Sequence, residues 1–276
     1  MEVESITSEN DKLHVIIKGA HPAFVNAIRR IIMADLYIPA IDKVYIAENT
    51  SVLYDEIIAH RLRMIPLRGG ENLNIPEKCS CNGKGCPFCE VALSLDVEAK
   101  ENFSIVYSGR LKSEGNVYPV NNDIPIVKLN AGQKISLVAY ARLGKGRYHA
   151  KWQPVSICVV KYEPVISINE NCDLCGICVE KCLKKVLEIK ENKLVVKSIW
   201  ACSLCKVCEE VCPKAAIKVS YNDRSARLTL ETTGSRTNEE LLLMACNYLA
   251  QRCGELREII KSIMEGVSNG KENTTN

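Results

Sequence analysis

The sequence predicts an α+β chain in three parts: a domain whose two halves stand at the ends of the chain, a mostly β insert, and a small cysteine-rich module. Three observations carry this prediction. A strand followed by a helix can be read near the N-terminus and again near the C-terminus. Segments of alternating apolar and polar residues fill the middle, and eight of the fifteen cysteines fall between residues 172 and 212. Alternation with period two buries one face of a strand, whereas recurrence every three or four residues buries one stripe of a helix.

The 276 residues are 47% hydrophobic and 25% charged, an ordinary globular balance in a chain long enough for about two domains. With 36 basic and 33 acidic side chains the net charge is +3, too even to argue for a nucleic-acid or membrane surface. No apolar run has the length of a membrane span, and Glu2, Glu4 and Glu9 stand where a secretion signal would be basic and then hydrophobic. A cytoplasmic protein with reduced cysteines is expected.

Leu13, Val15 and Ile17 alternate into a short strand closed by Gly19. Pro22 starts a helix, and Phe24, Ile28, Ile31 and Ile32 recur at helical spacing, with Arg29 and Arg30 off that face. Read from periodicity alone, this is a core helix with solvated arginines. Val44, Tyr45 and Ile46 form a strand, and Asn49-Thr50-Ser51 is expected to cap a second helix carrying Asp55 and Glu56 in its early turns. Leu53, Ile57, Ile58 and Leu62 line that helix, and Pro66 ends it.

The run from Phe24 to Ile31, the run from Asn49 through Asp55-Glu56-Ile57-Ile58-Ala59-His60-Arg61 to Leu62, and then Ile65-Pro66-Leu67 resemble a family signature in both words and order. The family is that of the RNA polymerase subunits comprising the bacterial alpha subunit and its archaeal and eukaryotic counterparts. The resemblance implies a discontinuous alpha-like dimerisation domain over residues 1–47 and 224–267, and a β-rich insert domain over 48–165. By the same resemblance alone, Arg29 and Arg30 are candidates for contacts with a large subunit.

Within the insert, Cys79-x-Cys81-x4-Cys86-x2-Cys89 places four thiols in eleven residues, with Gly83, Gly85 and Pro87 allowing tight turns. Four thiolates suit one tetrahedral structural Zn2+. The alternative is four reduced, metal-free cysteines, since the first pair is closer than the usual CxxC. Leu95, Val97 and Ala99, then Phe103, Ile105 and Tyr107, then Ile135, Leu137, Ala139 and Ala141 read as antiparallel strands. Gly144-Lys145-Gly146 reads as a turn and not as a phosphate loop. Tyr148 to Ser156 again resembles the polymerase family, in a segment facing a large subunit, and Cys158 reads as a small buried hydrophobe.

The module over 166–223 carries Cys172-x2-Cys175-x2-Cys178-x3-Cys182 and, thirty residues on, Cys202-x2-Cys205-x2-Cys208-x3-Cys212-Pro213. Three thiols at this spacing wrap one face of an iron-sulfur cube, and the fourth ligand of each comes from the other run. The expected sets are Cys172, Cys175, Cys178 and Cys212 on one [4Fe-4S] cluster, and Cys182, Cys202, Cys205 and Cys208 on a second. Zinc is the lesser alternative, because it usually takes two separated CxxC pairs. With a helix over Val179 to Val186, a strand at Leu194 to Val196 and a helix-to-strand step from Ala215 to Tyr221, the module resembles a bacterial-type ferredoxin domain. Leu183 departs from that pattern, which has proline there, and leaves open an absent or three-iron second cluster. With this insertion, the polymerase resemblance is nearest to the archaeal branch of the family and extends to the polar tail.

Beyond the module, Arg227 to Leu230 is a strand, Glu231 to Gly234 a turn, and Thr237-Asn238-Glu239-Glu240 a capping box. Leu242, Cys246, Leu249, Cys253, Leu256, Ile260 and Ile263 follow a heptad rhythm, which by spacing suits either a partner helix or the chain's own sheet. In the family the corresponding helix and the N-terminal helix form the dimer interface. The resemblance thus assigns Phe24, Ile28, Ile31, Leu242, Cys246, Leu249, Cys253, Leu256 and Ile260 to it. The polar tail, 268–276, is expected to be disordered.

The function implied by the resemblance is a non-catalytic assembly subunit of DNA-directed RNA polymerase, a nucleotidyltransferase. It would pair with the small subunit L and, with small subunits N and P, recruit the large catalytic subunits. No Asp-x-Asp-x-Asp constellation is present to hold catalytic Mg2+. The competing class is a ferredoxin-type electron carrier, which the chain supports with no dinucleotide fingerprint or haem-attachment motif. A sequence-specific DNA binder would need a basic, aromatic surface that the sequence lacks. The clusters are expected to stabilise their module and to tune assembly.

Overall fold

In the computed structural model, which describes residues 1–271, the chain opens with a hairpin. β1 (Glu2–Glu9) pairs antiparallel with β2 (Lys12–Lys18), Thr7 opposite His14 and Ser8 opposite Leu13. Leu13, Val15 and Ile17 are buried as their alternation requires. β1 escapes sequence reading because almost all its side chains are exposed, so no apolar rhythm marks it. There follow α1 (Pro22–Ala34), β3 (Tyr37–Asn49), α2 (Asp55–Arg63), β4 (Leu67–Gly69), β5 (Glu90–Glu98), β6 (Ser104–Tyr107), β7 (Lys112–Ser113), β8 (Val117–Pro119), β9 (Pro125–Leu129) and β10 (Lys134–Lys145). The C-terminal half adds β11 (Val155–Ile168), α3 (Ile177–Lys181), β12 (Leu187–Lys190), β13 (Lys193–Val196), α4 (Val207–Glu210), β14 (Ile217–Thr232) and α5 (Asn238–Lys271).

Two compact units emerge, one of residues 1–27 and 159–229, the other of 28–158 and the residues from 230 on. This differs from the boundaries expected at 165/166 and 223/224, which cut through β11 and β14. The reason is strand length: β11 runs for 14 residues and β14 for 16, so each continues from one unit into the other. In the first unit they join β1 and β2 in a sheet of order β1-β2-β14-β11. The same unit holds the hairpin β12-β13, with Leu187 opposite Val196, and the short helices α3 and α4. α3 stops at Lys181, short of the helix expected to reach Val186, because Cys182 leaves helical geometry for extended backbone at φ −75 and ψ 98, and Lys185 then turns into left-handed backbone at φ 50.

The second unit is built on the sheet β3-β10-β5-β7. β10 lies between two long antiparallel neighbours, Ala139 opposite Val44 on one side and Leu93 on the other. Its inward residues Ile135, Leu137, Ala139 and Ala141 pack with Ile41, Leu93, Leu95, Ile126 and Leu129. α2 adds Ile58 and Leu62, one turn apart on the same face, while Ile57 points out to solvent. Complete burial of each such aliphatic side chain contributes about 1.5–3 kcal/mol.

Three local readings are corrected here. Asn49 does not cap α2: its side-chain oxygen accepts from the Ser51 amide and hydroxyl and its nitrogen donates to Leu53 O and Asp55 Oδ1, so it braces the preceding turn and Tyr54 occupies the cap position. On β6 the buried residue is Val106, and the alternating Phe103, Ile105 and Tyr107 face outward. Gly144 and Lys145 belong to β10 and the turn begins at Gly146. Both glycines serve close approach, since a Cβ would lie 2.3 Å from the Trp152 ring at Gly144 and 2.1 Å from Met33 O at Gly146.

α5 opens with the expected reciprocal cap. The Thr237 amide donates to Glu240 Oε2 at 2.8 Å, and the Glu240 amide donates to Thr237 Oγ1 at 3.2 Å. Arg236 ties this start to the insert by donating to Gly69 O at 3.0 Å and pairing with Glu71 at 2.9 Å. The helix runs to Lys271, past the boundary expected at 267, and residues 272–276 of the expected tail lie outside the described residues. Among the described residues no helix is long and apolar enough to cross a membrane.

Candidate functional site

The loop between β4 and β5 brings Cys79, Cys81, Cys86 and Cys89 together, with all four sulfurs within 4.8 Å of one another. Neighbouring Sγ atoms stand at 3.5 Å (Cys79–Cys86), 3.5 Å (Cys81–Cys89) and 3.6 Å (Cys86–Cys89). A tetrahedron with metal–sulfur bonds of about 2.3 Å has edges of about 3.8 Å, so the four thiols fit one such ion. The loop closes through left-handed backbone at Asn82, Gly83 and Gly85. At Gly85 a Cβ would lie 2.4 Å from the Glu90 carboxylate, which pairs with Lys43 at 3.0 Å. The Gly85 amide, with the neighbouring thiols, draws the Cys81 thiol down to about 6, while burial pushes Cys89 up to about 12. One thiolate thus forms readily, and a cation is needed to draw the remaining protons off.

In the other unit the two cysteine runs interlock. Cys172, Cys175, Cys178 and Cys212 line one cavity; Cys182, Cys202, Cys205 and Cys208 line a second. The backbone follows the thirty-residue repeat closely. Leu174 and Leu204 take φ 61 and 59, Gly176 and Lys206 take 76 and 61, and Lys185 and Ala215 take 50 and 48. Left-handed backbone costs a non-glycine residue about 1–2 kcal/mol, so five such residues in matching places show a loop shape held by its surroundings. The sulfur that crosses from one repeat to the other accepts a backbone amide each time: Val186 N–H to Cys182 Sγ at 3.4 Å and Ala216 N–H to Cys212 Sγ at 3.2 Å. Leu183, at the departure from the ferredoxin pattern, is 95% exposed and leaves this geometry equal in the two repeats.

Burial, then the neighbours Cys172 and Cys175, raise the Cys178 thiol; burial, then Cys182 and Cys202, raise Cys208. Backbone amides act oppositely, that of Val207 lowering Cys205 and that of Ala216 lowering Cys212. Around the thiols pack Val186, Leu187, Ile217 and Val219. One polar residue missed by sequence reading is Asp173, whose carboxylate accepts the Cys175 amide at 3.2 Å. Its signal was available as an acidic residue directly following Cys172.

The seam on α5 is half-buried at its start and opens to solvent toward its C-terminal end. Leu241 and Ala245 are the buried residues that seat the helix, one position before the heptad set. Leu242 and Leu249 are half-buried; Cys246 and Cys253 are exposed, Leu256 is 58% and Ile260 47% exposed, and Ile263 lies open beside Ile259 and Met264. On α1 the expectation needs correction: Ile28 (2%) and Ile31 (7%) are buried within the chain itself, so they anchor the helix, and only Phe24 of the three is part-exposed. Arg30 is exposed, and Arg29 is half-buried with its guanidinium donating to Met33 Sδ. Cys158 is buried as expected, its Sγ 3.6 Å from Arg29 O and its thiol pushed up to about 12 by burial.

Comparison with known proteins gives these features a common setting. Residues 44–159 match the family model described as the RNA polymerase Rpb3/RpoA insert domain. Along almost its whole length the chain is similar to DNA-directed RNA polymerase subunit Rpo3 of Archaeoglobus fulgidus, 42% identical over 266 residues that cover 95% of this chain and 98% of the relative. The subunit Rpo3 of Methanothermobacter thermautotrophicus is 39% identical, covering 93% and 97%. That of Methanosarcina acetivorans is 39% identical, covering 95% and 99%. An alpha-like insert within a chain that aligns from end to end with these relatives makes it a member of the Rpo3 family of DNA-directed RNA polymerase subunits.

Proposed function

We propose that this subunit is a non-catalytic assembly platform: it pairs with the small polymerase subunit L through the outward face of α5 and, with small subunits N and P, presents the insert domain to the large catalytic subunits. The observation that carries the reading is the row of exposed Leu256, Ile260 and Ile263, more than two turns beyond Leu241 and Ala245, the buried residues that seat the start of the helix. A stripe this apolar is costly to leave in water and suits a second helix at heptad register. Phe24 would extend the contact from α1.

Zn2+ fits the four-thiol loop, where it would replace the apolar core the segment lacks, with a contribution on the order of 10 kcal/mol. Two [4Fe-4S] clusters suit the two cysteine sets, on the donor chemistry of four thiols each and on the amides directed at the crossing sulfurs. When bound, such clusters supply rigid cross-links between the repeats and the capacity to accept an electron. Their integrity would tune assembly through the module's folding. Serine at both Cys175 and Cys205 tests that coupling: unchanged recruitment of the large subunits after cluster loss would sink it.

The platform reading is tested by Leu249→Glu with Leu256→Glu, followed by co-purification with subunit L. Loss of L with an unchanged circular dichroism spectrum is expected. Undiminished binding of L would overturn the reading.

A further inference from the structure

The two cysteine cavities have nearly the same backbone and very different charged surroundings. The second, on Cys182, Cys202, Cys205 and Cys208, is lined by Lys181, Lys184 and Lys206. Lys161, half-buried and donating to Trp200 O at 2.5 Å, adds a further positive charge close enough to act on Cys202. Opposing these are Glu209, whose carboxylate accepts the amide of the lining residue Val219 at 3.1 Å, Glu210, which acts on Cys205, and Glu180, 3.8 Å from Lys181. The first cavity is lined by no lysine; its charged residue is Asp173, which faces Lys214. The second cavity is also the roomier, about 140 Å3 against about 10 Å3.

We propose that the two sites are electrostatically inequivalent, and that a cluster held by Cys182, Cys202, Cys205 and Cys208 accepts an electron before one held by Cys172, Cys175, Cys178 and Cys212. This rests on the two-cluster reading above. The step is a one-electron reduction by an external low-potential donor: the core goes from 2+ to 1+, no ligand leaves and no proton moves, so the site gains one negative charge. Cluster potentials follow net charge, hydrogen bonds to sulfur and solvent access. Ligand type and the amides on the crossing sulfurs match in the two repeats. The difference therefore falls to Lys181, Lys184, Lys206 and Lys161 and to the Leu204 amide donating to Cys202 Sγ at 3.5 Å, which favour added negative charge at the second site against its Glu209 and Glu210, and to Asp173, which opposes it at the first.

The test is a redox titration of the full chain bound to subunit L, purified anaerobically and followed by electron paramagnetic resonance, with iron counted on the same sample. Two waves are expected, the first favoured at least tenfold, or about 59 mV for one electron. Lys184→Gln with Lys206→Gln should lower the first wave and leave the second in place, whereas Asp173→Asn should raise the second. A single merged wave at about eight irons per chain, or a first wave indifferent to the lysines, overturns the inference alone. About four irons per chain overturns the two-cluster reading and the inference with it.

Discussion

The insert sheet and the cysteine module solve the same problem with different materials. The insert gathers 18 buried residues into one apolar cluster, none of them a cysteine, around Ile41, Leu62, Leu93 and Ile135. The module gathers seven, and three of these are Cys178, Cys202 and Cys208. Four buried aliphatic side chains, with six partly buried ones around them, make a small core for some fifty residues, whose conformational entropy costs about 1–2 kcal/mol per residue for the backbone alone. The contrast is that the insert rests on apolar packing, while the module's buried cluster is built in large part from thiols. The four-thiol loop lies between these cases, a small patch with the geometry for one metal ion on an apolar scaffold.

The largest effect that would expose this contrast is metal removal. Chelating iron in air should make residues 172–212 susceptible to protease while the insert strands stay resistant; a module that remains protected without iron would erase the distinction. Next is the loop. Cys89→Ser should abolish zinc binding and open residues 79–89 to cleavage, with iron content unchanged by metal analysis. Acid should do the same in the native protein: the ligands must be thiolates, so zinc should be released once protons outcompete the ion, at a pH below the value of about 6 to which the metal-free Cys81 thiol is drawn.

Smaller effects sharpen the other side. Leu62→Ala, at a fully buried position in the insert, should cost about 2–5 kcal/mol in the unit's unfolding by denaturant without loss of iron. Gly144→Ala pushes a methyl against the Trp152 ring and should cost about 1–3 kcal/mol in the same assay. The smallest expected change is a gain. Leu183→Pro restores the proline that Pro213 supplies in the other repeat, after a Cys182 already in extended backbone. It should slow cluster loss on heating, equivalent to about 0.4–1 kcal/mol.

What could be read in advance divides along the same line. Ligand spacing is local, so both cysteine sets were visible, and the structure brings the same groups of four together. The helices α1, α2 and α5 and the capping box at Thr237 were legible because periodicity and capping are local too. Pairing across the sequence was not. β1 hides behind exposed Glu, Ser and Thr, and the continuity of β11 and β14 that displaces the domain boundaries depends on distant partners. Asn49 looked like a cap because its hydrogen-bonding chemistry suits either a helix start or the turn before one. Heptad spacing picked out the exposed stripe of α5 but gave no sign that Leu241 and Ala245 seat it.

Native mass spectrometry of the full chain, co-expressed with subunit L and purified without oxygen, tests the central claim most directly. The account predicts a one-to-one complex whose excess mass equals two [4Fe-4S] clusters and one zinc ion. A chain that carries its clusters but stays monomeric in the presence of L would contradict it.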